Sequence, residues 1–313
     1  MNRTAWITAL CLGTVLVGWG LSWEMLQYQT GGDDLPKATV AVFYRFLIAG
    51  LLFVAFVVAR DVHRGKLSFN WPLKTWGWVA LLGLGFFSTN YSLYYFGSID
   101  MPPGLVSLFF ASIILTNLIL TTLVLNHRPK PITVVAALIG IAGLVMLLWP
   151  SLFAEGEFKA NWTTLGRAGL CMLGTITVSF ATLVQMQLNR LSVPVTTSTA
   201  FAMLFGAIYV GFFSLGVGYS FDVLGKPASF YWSFTFLVLL GSIAAFSAYL
   251  KLVGLIGPNR GSYVNLATAV VALMVSFCAG SSGPWMSIQF IGVLIILIGY
   301  YMVLRHGGRD VSR

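Results

Sequence analysis

Charge is scarce in this sequence. Only 9% of its 313 residues are Asp, Glu, Lys or Arg, against about a quarter in a soluble domain. With 58% hydrophobic residues and a mean hydropathy of +0.87, there are too few polar side chains to cover a water-exposed surface. The length alone would fit about two soluble domains; the composition excludes them and makes lipid the solvent. Cysteine is scarce too: Cys11, Cys171 and Cys278 lie in apolar runs without disulfide or metal spacing. His63, His127 and His306 are too dispersed for a metal site. No phosphate-cradling Gly-x-x-x-x-Gly-Lys-Ser/Thr loop, His-Glu-x-x-His or Gly-x-Ser-x-Gly pattern occurs. ATP hydrolysis within this chain is therefore excluded, an enzyme is not expected, and no cofactor or metal is expected. The 18 Lys and Arg outnumber 9 Asp and Glu, but they are scattered over short connectors and form no stripe, so nucleic acid is not an expected partner. The apolar run after Arg3 is too long for a signal peptide and lacks a small-residue cleavage site, so it reads as a retained helix.

Long hydrophobic runs are what the sequence has in abundance. A spanning helix needs about 20 mainly apolar residues, and such runs fall at 6–27, 38–59, 76–97, 102–125, 132–149, 166–188, 195–218, 231–254, 259–280 and 286–304. The expected fold is thus an all-α integral membrane protein of ten transmembrane helices. Breakers and charges gather between the runs, and Ser98 to Met101 makes the third and fourth helices a tight hairpin. Basic residues divide thirteen to four between alternate sides, with Arg45 left inside a helix. The rich side holds Arg3, Arg60, Arg64, Lys66, Lys74, Arg128, Arg190, Arg260 and Arg305. The excess of positive charge marks the cytoplasmic face, which places both termini in the cytoplasm.

The chain also matches itself. Leu12-Gly13-Thr14-Val15 answers Leu173-Gly174-Thr175-Ile176, and Glu24-Met25 falls over Gln185-Met186. Tyr91-Ser92-Leu93-Tyr94 answers Phe246-Ser247-Ala248-Tyr249, Pro102 answers Pro258, and Gly143 answers Gly299. The order indicates two five-helix repeats, residues 1–150 and 151–313. Five is odd, so the second copy enters the membrane inverted, an arrangement found in many secondary transporters.

These residues resemble the drug/metabolite transporter superfamily and its ten-helix EamA-type exporters. Trp19-Gly20, Tyr44-Arg45-Phe46-Leu47-Ile48-Ala49-Gly50, Tyr94-Tyr95 and the Gly292…Gly299 ending are similar to that family's patterns. Where the family often has Pro within helices four and nine, this chain reads Ala111-Ser112-Ile113 and Ala267-Thr268-Ala269. The resemblance implies an inner-membrane exporter of small metabolites or drugs, with a homodimer contact or a scaffold formed by helices five and ten. Ala136, Gly140, Gly143, Gly292 and Gly299 supply the close-packing seams there.

Ionisable groups inside the hydrocarbon are costly and therefore candidates for function. Glu24 and Arg45 both fall about 5–12 Å below the outer surface at about 1.5 Å per residue. Two readings fit them: a substrate clamp, in which Glu24 holds an ammonium or a proton and Arg45 a carboxylate, or a permanent ion pair locking two helices. Lys251 is expected to snorkel to the headgroups. The amides Asn90, Asn117, Gln185 and Asn265 should point inward, because an amide facing lipid has no partner. Each alone is better explained as interhelical glue; together they suggest a polar cavity. Trp19, Trp23, Tyr91, Tyr94, Tyr95 and Tyr249 either wall that cavity or simply pack. The substrate-binding candidates are thus Trp19, Trp23, Glu24, Arg45, Asn90, Tyr91, Tyr94, Asn117, Gln185, Tyr249 and Asn265.

The reading is a secondary transporter that exports amino acids or similar small amphipathic compounds by alternating access. Its partners are the solute, membrane lipids and, through Glu24, a proton; facilitated diffusion is equally open. The alternative is a lipid-handling membrane protein that moves or modifies a headgroup.

Overall fold

A computed structural model describes residues 3–65, 70–125, 130–153, 162–256, 261, 264–280 and 287–306. The expected connector charges Lys66, Arg128, Glu155, Glu157, Lys159, Arg260, Arg309, Asp310 and Arg313, together with His127, Pro258 and Trp285, lie outside the described residues.

The described residues are helical throughout their ordered elements. Helix α1 is Arg3–Gln27 and α2 is Ala38–His63. Helix α3 spans 73–97 and α4 spans 103–125; α5 is Pro131–Phe153 and α6 is Trp162–Arg190. Helix α7 is Val195–Gly216, α8 spans 228–256, α9 is Val264–Cys278 and α10 is Ser287–His306. Proline sets several starts: Pro72, Pro102, Pro194 and Pro227 occupy the N-cap positions of α3, α4, α7 and α8. Its fixed φ suits a helix entry, where its missing N–H is not needed.

Among the described residues, six helices are long and apolar enough to cross a membrane: Thr4–Gln27, Ala38–His63, Pro103–Val124, Trp162–Arg190, Val195–Gly216 and Ala228–Val253. Shorter apolar helices cover Pro131–Gly143, Ala267–Cys278 and Phe290–Gly299. Their outward faces carry bare Leu51, Phe56, Leu123, Phe180 and Phe212. In water such a surface would aggregate, whereas in lipid it is the expected coat.

Helix α2 packs along α7, and α5 along α10. Helix α1 lies against α8 and α9, while α6 lies against α3 and α4. Glycines permit the closest crossings. A Cβ on Gly143 would come within 2.7 Å of the Gly292 carbonyl oxygen, and one on Gly299 within 2.9 Å of that of Ala136, so the expected α5–α10 seam is real. Gly83 and Gly206 face each other in the same way where α3 crosses α7.

Two helices are not uniform. In α3 the stretch Gly83–Asn90 is π-helical, and in α8 so is Leu237–Ala244. Each follows a regular segment (Leu73–Leu82 and Ala228–Phe236) and precedes another (Tyr91–Gly97 and Ala245–Ile256). Such widened turns are uncommon and concentrate at functional sites. Helix α4 is interrupted at Ser112, whose Oγ donates to the Phe109 carbonyl. This is the segment where the resembled family often places proline.

The α3–α4 hairpin turns on Asp100, which adopts φ 54°. Arg167 of α6 steadies it, donating to the Ile99 carbonyl at 2.6 Å and to the Asp100 carboxylate at 2.7 Å.

Candidate functional site: an aromatic cavity with a buried arginine

One cavity lies where α1, α2, α3, α4, α8 and α9 converge, and it encloses about 610 Å³ of empty space with its mouth included. Helix α1 lends Trp19, Ser22, Trp23 and Leu26, and α3 lends Phe86, Asn90, Tyr91, Tyr94 and Tyr95. Arg45, Phe110, Phe246 and Thr268 complete the lining from α2, α4, α8 and α9. The widened turn of α3 ends at Asn90, so the last residues of that stretch and the first of the next turn both face the cavity.

The aromatic wall is interlocked. Trp23 packs on Tyr94 and Phe110 at 5.3 and 5.5 Å between ring centroids. Trp19 packs on Phe246 and Tyr249 at 5.2 and 4.9 Å, and its indole N–H donates to the Gly241 carbonyl at 3.1 Å. Gly20, the next residue, allows α9 to approach: a Cβ there would come within 2.5 Å of Val271. The Trp-Gly pair thus does two jobs, a wall toward α8 and a close crossing with α9.

Arg45 is the charged element of the lining, and it is 3% exposed. Its Nε donates to Ser242 Oγ at 3.1 Å and its Nη1 to the Tyr95 hydroxyl at 3.3 Å. The guanidinium carbon sits 4.9 Å from the Tyr91 ring centroid and 5.3 Å from that of Phe46. No carboxylate among the described residues pairs with it. Burying a cation costs several kcal/mol even after relaxation. Bonds from a charged donor return about 1.5–3 kcal/mol each when well made, and a desolvated ring face about 2 kcal/mol. Arg45 is therefore tolerable where it lies but retains unused donors, which an anion would satisfy.

Asn90 is the complementary feature. It is 2% exposed. Its Nδ2 donates to the Phe86 carbonyl at 3.3 Å, while its Oδ1 is buried without a hydrogen-bond partner.

The sequence candidates separate into three groups. Trp19, Trp23, Arg45, Asn90, Tyr91 and Tyr94 meet in the cavity. Tyr249 stands behind the wall, against Trp19. The remaining four fall outside the lining. Glu24, although next to Trp23, turns toward α9, where Ser276 Oγ donates to its Oε2 at 3.2 Å; it is 5% exposed. Gln185 links α6 to α7, accepting from Ser198 and donating to Asn189. Asn117 is half-buried on α4, and Asn265 is buried near the start of α9. Of the two readings of Glu24 and Arg45, the direct ion pair is not formed, because the two charges are directed to different helices. Sequence reasoning missed Ser242, the partner of Arg45, along with Ser22, Phe86, Phe110, Phe246 and Thr268. A small hydroxyl or a phenyl ring in an apolar run gives no signal of facing a cavity.

A family model for EamA-like transporters matches residues 5–149. The first half of the chain is thus similar to EamA-like transporters. It is 25% identical over 293 residues to the uncharacterized inner membrane transporter YedA of Escherichia coli strain K12, a match covering 91% of this chain and 88% of that one. The YedA of E. coli O157:H7 matches to the same extent. A solved crystal structure aligns over 99% of this chain and 100% of its own with a TM-score of 0.67 at 18% identity, a likeness of fold. The chain is accordingly a multi-pass protein of the inner membrane.

Proposed function

We propose that this transporter exports amino acids or similar small amphipathic metabolites from the cytoplasm, holding each by its carboxylate against Arg45. The observation that carries the reading is a buried guanidinium in an aromatic cavity with neutral partners and no paired carboxylate among the described residues. An organic carboxylate accepts two parallel bonds from such a fork, and its apolar part finds Trp19, Trp23, Tyr94 and Phe110. A lipid headgroup role gains nothing from this arrangement, since the cavity wall is aromatic and its one cation is deeply buried.

Alternating access is the mechanism we attach to this site. Ten spans in two inverted repeats, both ends cytoplasmic, would give it the required symmetry. The packing is consistent with that reading: α1 stands to α8 and α9 as α6 stands to α3 and α4, and both α3 and α8 carry a π-helical stretch at mid-length. These widened turns are the points where either repeat could bend without breaking a whole helix.

Uptake into proteoliposomes tests the reading. Labelled aromatic acids should be taken up with saturation, and their methyl esters should not compete. Equal competition by acid and ester, or fast exchange of fluorescent phospholipid without acid uptake, would overturn it.

A further inference from the structure

The carboxylate site at Arg45 leaves one polar atom of the cavity unexplained. Asn90 lines the same cavity, and its Oδ1 is buried and accepts no hydrogen bond among the described residues. Its orientation is fixed by chemistry: Nδ2 faces the Phe86 carbonyl, and exchanging the amide atoms would set oxygen against oxygen. Buried acceptors without partners are rare in folded proteins, and a ligand donor is one way they are satisfied. Asn90 precedes Tyr91, whose ring lies over the Arg45 guanidinium. Cation, ring and the asparagine with the orphan acceptor therefore line one cavity.

We infer that Asn90 Oδ1 selects solutes carrying a single neutral N–H beside their carboxylate, as in an N-acyl amino acid or a heteroaromatic acid, over zwitterions with a free ammonium. The inference rests on the proposed carboxylate site and narrows its substrate class from amino acids and similar metabolites to the N-acylated and heteroaromatic acids among them. Its basis is a count of donors and charges. An ammonium brings three N–H donors and a positive charge, whereas the site offers one unused neutral acceptor. The cavity already holds the Arg45 cation, and no acidic side chain among the described residues lines it. A charge left without a counterion in such a place costs more than a neutral amide does. A neutral N–H matches the single acceptor and adds no charge.

Isothermal calorimetry on the purified full chain in detergent tests this with four probes: N-acetylphenylalanine, its methyl ester, O-acetylphenyllactate (an ester oxygen in place of N–H, same shape) and phenylalanine. The wild type should bind N-acetylphenylalanine about tenfold more tightly than O-acetylphenyllactate, the loss expected for one buried hydrogen bond, and more tightly than phenylalanine. Asn90→Leu should erase the first difference, and Asn90→Asp should turn the preference toward phenylalanine. Equal binding of the amide and its oxygen analogue by the wild type would overturn the inference while leaving the Arg45 reading intact, as would tighter binding of phenylalanine. The methyl ester binding as well as the acid, or none of the acids binding, would overturn both. The two analogues compare on the wild type alone, so the test holds even if Asn90→Leu does not fold.

Discussion

Two polar regions lie inside this apolar bundle, and they are built on opposite terms. Between α4 and α6, with the Tyr94 hydroxyl of α3 reaching in from the cavity wall, the hydroxyls satisfy one another. Thr116 Oγ1 pairs with Ser179 Oγ at 2.6 Å, Thr175 with the Tyr94 hydroxyl at 2.5 Å, and Thr175 also donates to the Phe109 carbonyl. Ser179 in turn reaches the Thr175 carbonyl one turn back. Around Arg45 the account does not close in this way: a full positive charge has neutral hydroxyl partners, and Asn90 Oδ1 has none among the described residues. We read the first region as glue and the second as the proposed site. What separates them is not polarity, since both are polar, but unsatisfied capacity beside empty space.

Breaking the second region should have the largest effect. Arg45→Gln removes the charge-assisted bonds to a carboxylate, so kcat/KM for aromatic acid uptake should fall about 100-fold, the scale of one or two such bonds. Arg45→Lys keeps the charge but loses the planar fork and should fall between the two. Gly83→Ala attacks the support of the site rather than its chemistry. The new methyl would come within 2.5 Å of the Ala202 carbonyl oxygen and 2.9 Å of the Gly206 nitrogen, both backbone atoms that cannot move aside cheaply. Overpacking of this kind costs about 1–3 kcal/mol, which should appear as a lower Tm in detergent by intrinsic fluorescence.

The glue should respond far less. A Thr116→Val, Ser179→Ala double variant removes both members of a satisfied pair, and bonds of this kind inside membranes average about 0.6 kcal/mol. Its Tm should drop slightly and its acid uptake should remain near wild type. A marked loss of uptake here would blur the contrast between the two regions. Glu24→Gln should have the smallest effect on recognition, because Glu24 faces Ser276 outside the cavity lining and its amide replacement can still accept that bond. Affinity for aromatic acids, read by calorimetry, should stay within about twofold, well under the ~1.4 kcal/mol of a tenfold change.

Much of this contrast was legible in the sequence, for a definable reason. Arg45 and Asn90 announce themselves because a charge or an amide in a spanning run has no business facing lipid. Trp19 and Tyr94 could be placed because deep aromatics clustered on few helices. The same logic overreached at Gln185, whose partners Ser198 and Asn189 gather near the α6–α7 turn through contacts that no linear pattern encodes. It overreached again at Glu24, since depth along a helix is readable but the face it presents depends on which neighbour arrives. Ser242 and the π-helical turns of α3 and α8 lay beyond sequence reasoning altogether. A serine is ordinary in a packed membrane helix, and an extra residue in a turn leaves the run of apolar letters unchanged.

The central claim is that the Arg45 guanidinium is the anchor for the solute's carboxylate. Equilibrium binding of N-acetylphenylalanine to wild type and to Arg45→Gln, each purified as the full chain with an unchanged Tm, tests it most directly. Saturable binding to the wild type and none to the variant over the same concentration range is the expected result. Binding of the acid to Arg45→Gln with wild-type affinity would contradict the account.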